Sequence, residues 1–152
     1  VIFEIEAFSS LSPKYLILKS IEILMNKLHM VTQEIYNPES DKVKFSLKED
    51  TPNTGQFIFN NENDTLGNLL QSLMHNHYIR NKKPTANNHI LSYIGYYCPH
   101  PLEETMILQI SFDDDETEIK EIEYLDVLKE HCTRSLTHLQ EIQNAWLDQY
   151  KE

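Results

Sequence analysis

From about Thr117 to Tyr150, apolar side chains recur at steps of three and four: Ile122, Leu125, Leu128, Cys132, Leu139, Ile142 and Trp146. Ser135 interrupts the series, and Leu136 and Leu147 widen it. This is the spacing of a helix with one apolar stripe. At roughly 1.5 Å per residue such a helix is on the order of 50 Å long, more than a small sheet can cover. Part of its stripe must therefore meet another helix, and the rest of the chain has to supply or recruit it.

The preceding segments read as alternating strands and helices. Val1–Ala7 places Val1, Phe3, Ile5 and Ala7 on one side and Ile2, Glu4 and Glu6 on the other, the pattern of a half-buried strand that needs a partner. Ser12-Pro13 starts a helix, because the hydroxyl caps free amides and proline at the first position loses no hydrogen bond. Its stripe is Leu16, Ile17, Ile21, Leu24, Met25 and Leu28, which ends it near His29. The polar run Asn37–Asp41 marks a boundary, so the chain divides into residues 1–35, a linker at 36–41 and a domain from 42 to 152.

In that domain, Val43, Phe45 and Leu47 alternate with lysines and serine. A turn around Thr51–Gly55 leads to a strand near Gln56–Asn60, and the two strands should pair antiparallel. Asp64 or Thr65 caps the next helix, whose stripe is Leu66, Leu69, Leu70, Leu73, Met74 and His77. Arg80–His89 lacks periodicity and reads as a mobile surface loop. Ile90–Tyr97 and Thr105–Phe112 are two more strands, joined through Cys98-Pro99-His100-Pro101. The order from residue 42 is β-β-α-β-β-α, an α+β fold.

Charge and chemistry narrow the function by exclusion. The net charge of -11 is concentrated late: residues 1–102 hold nine Lys/Arg against ten Asp/Glu, and residues 103–152 hold four against fourteen. Phosphate binding needs clustered cations, so neither nucleic acid nor an anionic membrane is an expected direct partner. Cys98, His100, His131 and Cys132 lack the C-x2-4-C or H-x3-5-H spacing of structural zinc, so no metal is expected. Pro99 and Pro101 instead fix an elbow in which His100 makes an oriented polar contact. No nucleophile elbow, HExxH motif or glycine-rich phosphate loop occurs, and three glycines leave little to build a phosphate cradle. Asp113–Glu116 reads as a solvated acidic turn. No catalytic residue and no cofactor are expected.

Three motifs occur in a fixed order: Asp64-Thr65-Leu66-Gly67-Asn68, Gly95-Tyr96, and Pro99-His100-Pro101-Leu102-Glu103. With Ala145-Trp146 near the end of the last helix, they resemble the eleventh-subunit family of small alpha-like subunits of eukaryotic RNA polymerase II. That family's core also runs strand-strand-helix-strand-strand-helix. Upstream, Phe3-Glu4-Ile5-Glu6, Ser10-Leu11 and Ser12-Pro13 look like the closing strand and helix of the third-subunit family's dimerisation domain. The two in tandem resemble the fused subunit of large cytoplasmic DNA viruses of the African swine fever type. Two departures stand out: Asp64 replaces the family's usual His, and the 80–89 loop is roughly ten residues longer than usual.

The resemblance implies a non-catalytic assembly platform in which two alpha-like halves pair through helices and dock the second-largest polymerase subunit, beside small polymerase subunits. It implies location in the host cytoplasm, at viral replication sites, and in the virion. The expected pairing interface joins Leu16, Ile21, Leu24 and Leu28 to Leu66, Leu69 and Leu73 and to Leu125, Leu128, Leu139, Ile142 and Trp146. Two rival readings are a stand-alone α+β module that homodimerises through its long helix, and a small hydrolase using His100. Gly67 either permits a close approach or is a tolerated helix glycine.

Overall fold

A computed structural model describes residues 2, 4–8, 10–114 and 117–149. Eight elements follow in chain order among the described residues. Helix α1 spans Pro13–Glu34, β1 Val43–Leu47, β2 Thr54–Asn60 and α2 Asp64–Met74. A π-helical turn, His75–Arg80, continues α2, and β3 (Leu91–Tyr97), β4 (Thr105–Phe112) and α3 (Glu121–Asp148) complete the set. The strands form one antiparallel sheet in the order β1-β2-β4-β3.

Strand alternation sorts the sheet's two faces. Phe57 and Phe59 of β2 and Met106, Leu108 and Ile110 of β4 are fully buried, and each alternates with a half-buried neighbour. The rings of Phe45 and Phe57 lie 5.0 Å apart, and Tyr124 at the start of α3 meets Phe45 at 5.2 Å and Phe112 edge-on at 4.8 Å. Tyr124 thus anchors the long helix to the sheet by the tilted and edge-to-face contacts that aromatic quadrupoles favour. Helix α2 lies over β3 and β4, while α1 packs along α3. Residues of α1 belong to the same buried cluster as the sheet.

Several boundaries differ from the sequence expectation. Helix α1 continues five residues beyond His29 because Val31 and Ile35 extend its buried face. Residues 2 and 4–8 form no strand, since they meet no sheet edge with which to exchange backbone hydrogen bonds; Val1 and Phe3 of that expected strand lie outside the described residues. Neither Asp64 nor Thr65 caps α2: the Asn63 side chain accepts from the Thr65 amide. Helix α3 begins at Glu121 rather than Thr117, because residues before it are bound elsewhere. The Thr117 amide donates to Asp114 Oδ1 and the Ile119 amide to Asn53 Oδ1. Residues 115 and 116 of the expected acidic turn, and Tyr150 at the expected helix end, lie outside the described residues.

The 80–89 segment is folded against the body. Thr85 is buried, its amide and hydroxyl each bond His89, and Asn87 bonds Glu123 of α3. Its order comes from these polar contacts rather than from an apolar period, which is why a periodicity reading assigns it as a mobile loop.

Candidate subunit-pairing interface

The face that could pair two helical halves is already occupied along much of α3 by α1. Ile21, Leu28, Val31 and Ile35 of the α1 segment and Leu125, Leu128, Cys132 and Leu139 of α3 are all buried in one cluster. Polar contacts flank this seam. Beyond the end of α1, Tyr36 Oη donates to Asp126 Oδ1 at 2.5 Å, and Lys129 Nζ sits 4.7 Å above the Tyr36 ring. Burial and then the Asp126 carboxylate push the Tyr36 hydroxyl up to about 12, so it remains a donor to that carboxylate. On the other side of α1, Lys27 Nζ lies 2.6 Å from Glu62 Oε2 in the β2–α2 connection.

The expected interface residues divide three ways. Ile21, Leu28, Leu66, Leu125, Leu128 and Leu139 are buried, whereas Leu16, Leu24, Leu69, Leu73 and Trp146 are half-buried. Ile142 is 43% exposed, and Ile122 is exposed as well, so neither joins the seam. On a helix of 3.6 residues per turn, a strict three-and-four reading drifts off the face that the neighbouring elements cover. The main neighbours of α2 are β3, β4 and the π-helical turn, and that of α1 is α3, while Ile21 and Leu28 of α1 and Leu66 of α2 share one buried cluster. Ser135, read as a break, is instead buried and lies 3.3 Å from His131 Nε2.

A cleft of about 450 Å³ opens between α2's end and α3, lined by Leu73, His77, His131, Arg134 and His138 among others. The π-helical turn shapes it. An i→i+5 turn shifts the helix face, so Tyr78 is fully buried while His77, which an uninterrupted α-helix would turn inward, is only half-buried. His131 is 1% exposed, and burial, aided by His77 and Arg134, pushes its imidazole down to about 3. The ring is neutral near pH 7. Among the described residues, no cluster of three or more His, Cys, Asp or Glu could hold a metal ion, and no helix is long and apolar enough to cross a membrane.

The first two motifs fold together as a structural lock. Added to Gly67, a Cβ would fall against the Tyr96 ring, 2.6 Å from Cε2, so glycine lets α2 settle on β3. At Gly95, a Cβ would meet Tyr93. Asp64 reaches Tyr96 and Cys98: its Oδ1 lies 3.6 Å from Cys98 Sγ, and burial first, then this carboxylate, raises both the phenol and the thiol. Thr65 contributes its amide to the cap, Leu66 is in the core, and Asn68 is exposed. Pro99, His100, Pro101, Leu102 and Glu103 form an exposed elbow. There the Leu102 amide donates to His100 Nδ1 at 3.1 Å, an oriented polar contact within the elbow.

Sequence reading missed Lys27, Tyr36, Asn53, Glu62, Tyr124 and Asp126. It also missed Val31 and Ile35, although they continue the i, i+3, i+7 series from Leu28. The charged and polar contacts join elements far apart in the chain and leave no local signature.

Comparison with known proteins matches residues 54–145 to the RNA polymerase Rpb3/Rpb11 dimerisation domain. Over 73 residues the chain is 36% identical to "DNA-directed RNA polymerases I and III subunit rpc19" of Dictyostelium discoideum, covering 48% of this chain and 53% of that protein. The chain thus spans about half the length of the curated relative it matches. With the matched stretch covering the greater part of its length and the β-β-α-β-β-α core in place, the chain belongs to the RNA polymerase Rpb3/Rpb11 dimerisation domain family.

Proposed function

We propose that this chain is part of a non-catalytic assembly subunit of a multisubunit DNA-directed RNA polymerase, pairing two alpha-like halves into a platform for the second-largest subunit. The observation that carries the reading is the seating of α1 along α3. Helix α1 lies outside the matched stretch, and a helix laid on α3 is what a dimerisation domain needs from its partner half. On this reading residues 1–35 end a third-subunit-like half, 36–41 are the linker, and 42–152 are the eleventh-subunit-like half. Fusion makes the pairing intramolecular, at an effective concentration of about millimolar for a short linker, so the halves stay paired on dilution. The tandem arrangement supports a viral fused subunit acting in the host cytoplasm and packaged in the virion.

The test is affinity purification of the tagged full-length protein from producing cells, with the stoichiometric partners identified by mass spectrometry. Recovery of the large polymerase subunits is the expected result. Recovery of the protein alone, as a stable dimer, would replace this reading with that of a self-pairing α+β module.

A further inference from the structure

We infer that the Lys27–Glu62 ion pair is a register key that sets where α1 sits along the rest of the fold. Glu62 is 5% exposed, and its Oε2 meets Lys27 Nζ at 2.6 Å across 35 residues of sequence. The pair thus ties α1 to the connection between β2 and α2. Of the Lys/Arg–carboxylate pairs among the described residues, Lys19–Glu22 and Arg134–Glu130 are exposed contacts within a single helix turn. Such pairs add little, whereas a carboxylate buried without its cation is strongly unfavourable.

What makes the pair selective is its surroundings on α1. Residues three and four away from Lys27 in either direction are Ile23, Leu24, Met30 and Val31. A slip of α1 by one turn, about 5.4 Å, would therefore set an apolar side chain against Glu62 and leave the carboxylate unpaired. Apolar packing tolerates such a slip far better, because Ile21, Leu24, Leu28 and Val31 repeat along the same face. Hydrophobic burial holds α1 down, and the ion pair selects one of several seatings of similar apolar fit. The inference concerns the seating of α1 within this chain and does not depend on which assembly the chain joins.

The test reads position rather than stability. Spin labels are placed at Gln33→Cys on α1 and Gln140→Cys on α3, both exposed positions, in a chain carrying Cys98→Ser, and the distance distribution is measured by pulsed electron spin resonance. The parent chain gives a single distance. Lys27→Met is expected to add a second population displaced by up to about 5.4 Å, and Lys27→Arg to keep the single distance. Because Lys27→Met strands a buried charge and could unfold the chain, the deciding variant is Lys27→Met with Glu62→Leu, which removes both charges together. That double variant should be folded by circular dichroism and still give two distances. A folded double variant with the parent's single distance would overturn the inference and assign the register to apolar packing and the Tyr36–Asp126 contact.

Discussion

A histidine sealed inside a fold makes stability depend on pH with a fixed sign. His131 is pushed down to about 3 by burial first and by His77 and Arg134 next, against about 6.5 for an imidazole in an unfolded chain. The unfolded chain therefore takes up a proton that the folded chain refuses. Stability is whole above pH 6.5 and falls as the pH drops toward 3, by up to about 1.4 kcal/mol per pH unit from this group. His77, lowered by its own burial and by Arg134, adds in the same direction. Urea unfolding between pH 7 and 5 should give a midpoint that falls with pH, and His131→Leu should flatten that fall. An unchanged slope in the variant would mean that the imidazole is protonated in the folded state. The lock of Gly67 against Tyr96 belongs to the same scale: sequence left the glycine's role open between close approach and mere tolerance, because only the fold brings α2 to β3.

At the scale of elements, the sequence was most legible where one physical rule acts alone. The alternation in β2 and β4, the serine-proline start of α1 and the i, i+3, i+4 stripe of α2 from Leu66 to Met74 each come from burial or capping within a few residues, and each of these features formed as expected. Legibility failed where a distant group decides. Asn53, 66 residues before Ile119 in sequence, accepts its amide and holds the segment ahead of α3 out of the helix. Thr85 and Asn87 order a loop that has no period at all. The same contrast applies to the interface, where Leu28 and Ile142 look equivalent as stripe leucine and isoleucine, yet one is fully buried and the other 43% exposed. Leu28→Ala should cost about 2–5 kcal/mol, the range for a buried leucine whose site relaxes only partly. Ile142→Ala should stay within about 0.5 kcal/mol for the isolated chain. Denaturant unfolding of the two variants side by side decides the matter, and equal losses would place Ile142 in the seam after all.

For the molecule as a whole, the question is what α3 does without its cover. Fully burying an aliphatic side chain contributes roughly 1.5–3 kcal/mol, and α1 with its C-terminal cap supplies Ile21, Leu28, Val31 and Ile35 to the shared cluster. A chain that begins at Lys42 keeps the sheet, α2 and α3 but uncovers the α3 face on which α1 lay. An apolar face of that kind seeks another copy of itself. Charge opposes this, because residues 103–152 carry four Lys/Arg against fourteen Asp/Glu, so two such faces repel as they approach. Salt screens that repulsion, with a Debye length of about 10 Å at 0.1 M falling to about 3 Å at 1 M, and leaves apolar burial untouched or strengthened. The shortened chain is therefore expected to self-associate more strongly as sodium chloride rises, while the full chain, with α3 covered, changes little. Sedimentation equilibrium at low and high salt separates the cases: a shortened chain that stays monomeric at both would mean that α1 shields no adhesive surface and that the seam contributes little to holding the two segments together.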